Sequence, residues 1–132
     1  MSDQTLRETL LSYSRSPRNG DLRDEYTHRS VVTNPGCGDR IEIRFLVDSG
    51  VIREASYHSR GCALSTASAA ILDETVPGWP VDRLRETADA AINGELPAEL
   101  AVFESIRGNP ARRECVLLPW RAALQALEGA EP

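Results

Sequence analysis

The sequence contains no lysine; all fifteen of its basic residues are arginine. That excludes a Schiff base on a lysine amine and a phosphate held by a lysine. We read the bias first as a matter of genomic composition. Long apolar runs are also missing: none approaches the roughly 20 residues that a membrane-spanning helix needs. The opening Met1-Ser2-Asp3-Gln4 lacks the basic-then-apolar layout of a secretory signal. The expected location is therefore the cytoplasm, with no membrane partner. Positive charge is in deficit, at a net charge of −5. Nucleic acid is disfavoured as a partner, because phosphate affinity rests on clustered positive charge. There is no internal repeat and no low-complexity tract. Cysteine is scarce and odd in number, at three. A disulfide framework would leave one over, and in a reducing compartment separated cysteines are more often ligands or catalysts.

What remains is ordinary globular material. The 132 residues, 41% apolar and 27% charged, fit one compact domain over 1–132 with a core of its own, and 129–132 read as a frayed tail. Leu6, Leu10 and Leu11 at helical spacing predict a first helix over 3–15, stopped by Pro17 and Gly20. Ser30 to Thr33 lean towards strand. Ile41, Ile43, Phe45 and Val47 alternate as a half-buried strand should. Asp48-Ser49-Gly50 then turns the chain into a second strand over 51–57. Ser65 to Leu72 can form a helix, with Ser65 or a neighbour as its cap. Further helices are predicted over 81–92, 97–106 and 115–127, and Gly108-Asn109-Pro110 reads as a stop between the last two. Pro119 is expected in the first turn of the final helix, or to start it late. Segregated strands and helices predict an α+β fold: a small antiparallel sheet of about three strands with helices on one side.

Four residues carry the chemistry: Cys37, Asp39, Cys62 and Cys115. Thiolates suit zinc and iron–sulfur clusters, and a carboxylate is an accepted fourth zinc ligand. Three thiolates and a carboxylate cannot sit together without a cation, because each charge raises the pKa of the next. Oxygen is the odd donor among three sulfurs. Asp39 is thus expected to bind more weakly and to yield to an incoming thiolate or imidazole. On spacing alone an equally weighted reading is that the cysteines are unrelated, one or more of them buried as small hydrophobes.

The motifs shift that balance. Asn34-Pro35-Gly36-Cys37-Gly38-Asp39, Gly61-Cys62-Ala63-Leu64-Ser65-Thr66-Ala67-Ser68 and Arg112-Arg113-Glu114-Cys115-Val116-Leu117-Leu118-Pro119-Trp120 occur in order. As a set they resemble the motifs of the U-type iron–sulfur scaffold family (IscU, SufU and the N-terminal part of NifU). The resemblance runs from about Leu6 to the last helix. It is nearest to the SufU branch, since Glu114 stands where the IscU branch has histidine before its third cysteine, and a Leu-Pro-Pro-Val-Lys motif is absent. Arg112, Cys115, Leu118 and Trp120 fit the SufU pattern. The stretch around 76–96 matches that branch's insertion, in a shorter form.

The resemblance implies a SufE/NifU-like fold and a Zn2+ ion held by Cys37, Asp39, Cys62 and Cys115. It implies a SufS-like, pyridoxal-phosphate cysteine desulfurase as partner, whose histidine takes a metal position. That would free Cys37 to accept persulfide sulfur, with Arg112 assisting. The protein would be a sulfur carrier more than a stand-alone enzyme, and would pass sulfur to downstream cluster-assembly proteins. Two alternatives stay open: a scaffold building a transient [2Fe–2S] cluster on the same iron-binding cysteines, and a structural zinc module without sulfur chemistry. A cysteine-nucleophile enzyme is disfavoured, because no thiol has a base nearby in sequence. His28 and His58 read as ordinary polar residues, Trp79 and Trp120 as packing residues, and Ser65-Thr66 as helix-start chemistry.

Overall fold

The computed structural model of the chain describes residues 3–34, Gly36 and 38–129. Helix α1 (Asp3–Ser14) leads into a meander of β1 (His28–Asn34), β2 (Asp39–Asp48) and β3 (Val51–Arg60). Helices α2 (Ala63–Thr75) and α3 (Val81–Ile92), a 3₁₀ helix (Ala98–Ile106) and the long α4 (Pro110–Glu128) follow. The sheet is antiparallel with order β1-β2-β3. The α+β class expected from the sequence is what forms.

Alternation sets the sheet's two faces. Ile41, Ile43 and Phe45 of β2, with Ala55 and Tyr57 of β3, are fully buried on the helix side. There they join Leu72 of α2, Leu84 of α3 and Leu117, Leu118 and Trp120 of α4 in one core. The opposite face carries Glu42, which is buried but ion-paired at 2.9 Å with both Arg29 and Arg44. Burial alone pushes its carboxyl pKa upward; the two guanidinium groups outweigh that and hold it below the usual value. The β2–β3 hairpin closes through Ser49 and Gly50, both at positive φ, as a two-residue turn matching strand twist requires.

Two expectations need correction and a third gains detail. The strands are longer than the apolar alternation implied: β2 begins at Asp39 and β3 runs to Arg60. Pairing carries the ladder past the last buried hydrophobe. The short helix expected over 97–106 forms over Ala98–Ile106 as a 3₁₀ helix. Its buried residues, Leu100, Phe103 and Ile106, fall at every third position, the spacing that aligns in a 3₁₀ helix. Finally, α4 starts five residues earlier than expected. Asn109 caps it, accepting from the Arg112 N–H at 3.1 Å, and Pro110 takes the first helical position. The residues that stop one element therefore start the next, and Pro119 lies inside the helix. Of the expected tail, Gly129 caps α4, and 130–132 lie outside the described residues.

One cross-strand pair is unfavourable. Arg40 of β2 faces Arg60 of β3, and among the described residues neither has an ion-pair partner. Like charges directly opposite destabilise a sheet. Arg60→Glu is expected to raise stability by up to about 1 kcal/mol. Thermal unfolding should show a higher midpoint at low ionic strength, and a gain that fades as salt is added.

Candidate metal centre

Three chain segments meet at one end of the molecule. Asp39 opens β2, immediately after the glycine-rich loop. In that loop Asn34 accepts the Gly36 N–H on Oδ1 (3.0 Å) and the Gly38 N–H on its carbonyl (2.8 Å). Gly38 has φ +75°, a conformation that glycine adopts without cost. Cys62 lies two residues beyond β3 and is the N-cap of α2: its backbone is extended, and its Sγ accepts the Ser65 N–H at 3.5 Å. The expected cap, Ser65 or a neighbour, is thus the cysteine itself. Cys115 lies in the second turn of α4.

Ligand atoms of Asp39, Cys62 and Cys115 all lie within 4.8 Å of one another. Donors about 2.0–2.3 Å from a tetrahedral zinc ion are about 3.3–3.8 Å apart. Drawing in by about 1 Å would bring all three onto one ion, and the donor set suits zinc or iron. Cys37 lies outside the described residues. Asp39 is buried, Cys115 is half-buried and Cys62 is exposed. The mouth of the site is a depression of about 420 Å³ whose lining includes Cys62, Cys115, Leu64, Arg112, Glu114, Asn34 and Gly36. Arg112 is exposed at this rim. Glu114 is engaged along α4 with Arg121 (3.3 Å) and Arg113 (3.7 Å). Its carboxylate is not part of the three-residue cluster.

Two further residues shape the site, and the sequence reading missed both roles. Gly61 leaves room for Asp39: a Cβ on Gly61 would sit 2.5 Å from Asp39 Cγ and 2.6 Å from Oδ1. Ser65 is fully buried and touches every member of the cluster. Its Oγ donates to Asp39 Oδ2 at 2.7 Å, and lies 3.1 Å from the Cys115 carbonyl and 3.6 Å from Cys62 Sγ. The Cys62 N–H meets the other carboxylate oxygen of Asp39 at 3.2 Å.

A signal for Ser65 was present in the sequence. Pro119 stands four residues after Cys115, so no N–H is available to close the helical bond to the Cys115 carbonyl. That carbonyl lies against the Ser65 hydroxyl of α2 instead. The next carbonyl, of Val116, accepts from Ser68 Oγ at 2.6 Å, and Ser68 in turn accepts from Trp120 Nε1 at 3.1 Å. Two serines three apart on α2 thereby meet α4 beside its proline, and Ser68 is bonded to it.

His28 and His58 are not in the cluster; the His28 ring lies 2.7 Å from Thr27 Oγ1. A larger cleft of about 610 Å³ lies elsewhere, around Arg18, Arg53 and Asp73. It holds no thiol, and its buried carboxylate is already paired, Arg18 with Asp73.

Comparison with known proteins decides the family. The NifU-like N-terminal domain matches residues 5–129. The chain belongs to that family. It is 30% identical over 129 residues to the iron–sulfur cluster assembly scaffold protein IscU of Thermotoga maritima, covering 92% of this chain and 91% of that one. It is 26% identical over 134 residues to the zinc-dependent sulfurtransferase SufU of Bacillus subtilis, covering 91% and 87%. The crystal structure of FiSufU from Fervidobacterium islandicum AW-1 superposes with a TM-score of 0.80 at 24% identity, over 96% of this chain and 99% of that one. Similarity to IscU and to SufU is thus comparable, and the overall identities do not divide the two branches for this NifU-like domain. No helix among the described residues is long and apolar enough to cross a membrane.

Proposed function

We infer that this protein acts in iron–sulfur cluster assembly as a SufU-like, zinc-binding sulfur acceptor. The observation that carries the reading is the convergence of Asp39, Cys62 and Cys115 within 4.8 Å, from segments far apart in the chain. The proposed ligands are those three with Cys37. Bound zinc would supply the charge that lets thiolates and a carboxylate share one site. The exposed Cys62 and the depression around the cluster support transfer over a purely structural role, since a partner's side chain could reach the ion there. A 26% identical relative is a zinc-dependent sulfurtransferase.

The transfer is a thiol exchange. The Cys37 thiol attacks the outer sulfur of a desulfurase cysteine persulfide. A new S–S bond forms to Cys37 while the old one breaks, and the proton lost by Cys37 is balanced by the one the released desulfurase thiol takes up. Arg112, exposed at the rim, would assist by facing the anionic persulfide as it approaches. Cluster-assembly proteins downstream would receive the sulfur, in the cytoplasm.

The second reading, a scaffold for a transient [2Fe–2S] cluster, is favoured by the 30% identity to an IscU scaffold. Elemental analysis and an absorption spectrum of anaerobically purified protein separate the two. About one zinc per chain, colourless and free of sulfide, is expected for the acceptor. Iron with matching acid-labile sulfide and visible absorption would move the assignment to the scaffold. Incubation with a cysteine desulfurase and cysteine should add the mass of one sulfur atom to the parent and none to Cys37→Ser. A zinc-loaded parent that never gains that mass is a structural zinc module.

A further inference from the structure

We propose that Ser65 is a positioning residue of the metal centre: its hydroxyl holds the Asp39 carboxylate, and with its own N–H the Cys62 thiol, in the arrangement that receives the ion. This rests on the metal-binding reading above and extends it to a residue that no ligand pattern would single out.

The hydroxyl has one proton and three acceptors within reach. These are Asp39 Oδ2 at 2.7 Å, the Cys115 carbonyl at 3.1 Å and, more weakly, Cys62 Sγ at 3.6 Å. A carboxylate is the strongest acceptor of the three, so the proton is given to Asp39. The Ser65 N–H meanwhile reaches Cys62 Sγ at 3.5 Å. The serine thus touches all three clustered ligand residues while offering the ion nothing itself. Its place is fixed by burial at the first turn of α2 and by the carbonyl that Pro119 strips of a helical partner.

With Cys62 N–H on Oδ1 and Ser65 Oγ on Oδ2, each carboxylate oxygen of Asp39 has one donor already. The carboxylate is aimed before the ion arrives, and its freedom to swing away is limited. Partners that orient a metal ligand in this manner typically account for about 10–100-fold in metal affinity.

The test is a double-mutant cycle on the full chain, with Zn2+ affinity read by chelator competition and Co2+ substitution read by its absorption spectrum. Ser65→Ala should weaken Zn2+ binding by about tenfold or more and shift the cobalt ligand-field bands. In an Asp39→Ala background the same change should alter affinity by less than about threefold, because the group it positions is gone. Urea unfolding of the metal-free proteins is measured in parallel. Equal losses in both backgrounds, an unchanged affinity and spectrum, or a Ser65→Ala chain that no longer folds would each assign the hydroxyl to structure alone and overturn the proposal. A parent that binds neither Zn2+ nor Co2+ overturns the metal reading, and this inference with it. A parent that binds both while Ser65→Ala binds them equally well overturns only the role of Ser65.

Discussion

Gly61→Ala is expected to weaken metal binding by about one to two orders of magnitude while the metal-free chain stays folded. The argument is one of space. An added Cβ would lie 2.5 Å from Asp39 Cγ, well inside van der Waals contact. Asp39 is buried at the start of β2, between the Cys62 amide and Ser65, so it cannot sidestep without giving up both hydrogen bonds. Either the carboxylate moves or the turn from β3 into α2 moves, and the turn carries Cys62. Both routes separate the cluster. Gly61 is not among the positive-φ residues, so alanine should meet no backbone penalty there. Its cost falls on the site. Titration with Zn2+ against a chelator, beside a urea denaturation of the metal-free protein, separates the two effects. Parental affinity in Gly61→Ala would show that Asp39 is not held where the ion binds.

Trp120→Ala is expected to produce the larger loss of stability, about 3–5 kcal/mol. Domains of this kind are stable by only about 5–15 kcal/mol in total. Trp120 is among the largest fully buried side chains and sits one residue after the proline of α4. Truncation removes its burial, opens a cavity and takes away the Nε1 donor to Ser68. Ser68 keeps its bond to the Val116 carbonyl, so no buried donor is orphaned and the cavity dominates. With a urea slope of about 1–3 kcal/mol per molar, the unfolding midpoint should fall by about 2 M. A shift under about 0.5 M would mean that the helices close over the vacated volume.

Much of the architecture was legible because it follows from period. The run Ile41, Ile43, Phe45 alternates and becomes a central strand with one buried face; Ser49-Gly50 marks the turn. The element ends were harder to read. β2 and β3 continue through Arg40 and Arg60, whose side chains argue against pairing, because backbone hydrogen bonds and a tight hairpin set the register. Pro119 pointed to a late helix start, yet the helix runs through it, with the freed Cys115 carbonyl lying 3.1 Å from Ser65 Oγ of α2. Asn109 and Pro110 read as a stop and serve equally as a cap and a first helical residue. At the site, the cysteines and Asp39 stood out by residue type and by motif. Gly61 and Ser65 did not, because their contributions are a missing atom and a shared hydroxyl, and both depend on what lies beside them in space.

The clustered residues come from positions 39, 62 and 115, so the site spans most of the chain and has no local precursor. A hairpin alone brings Asp39 near Cys62; Cys115 arrives only when α4 docks on α2 and the sheet. During synthesis the amino-terminal half emerges first, and with Cys115 still unmade it cannot form the centre. On the proposed reading, metal loading therefore waits for the finished chain. The ion then binds only the native form and stabilises it by mass action, so occupancy becomes a late check that the whole chain has closed correctly.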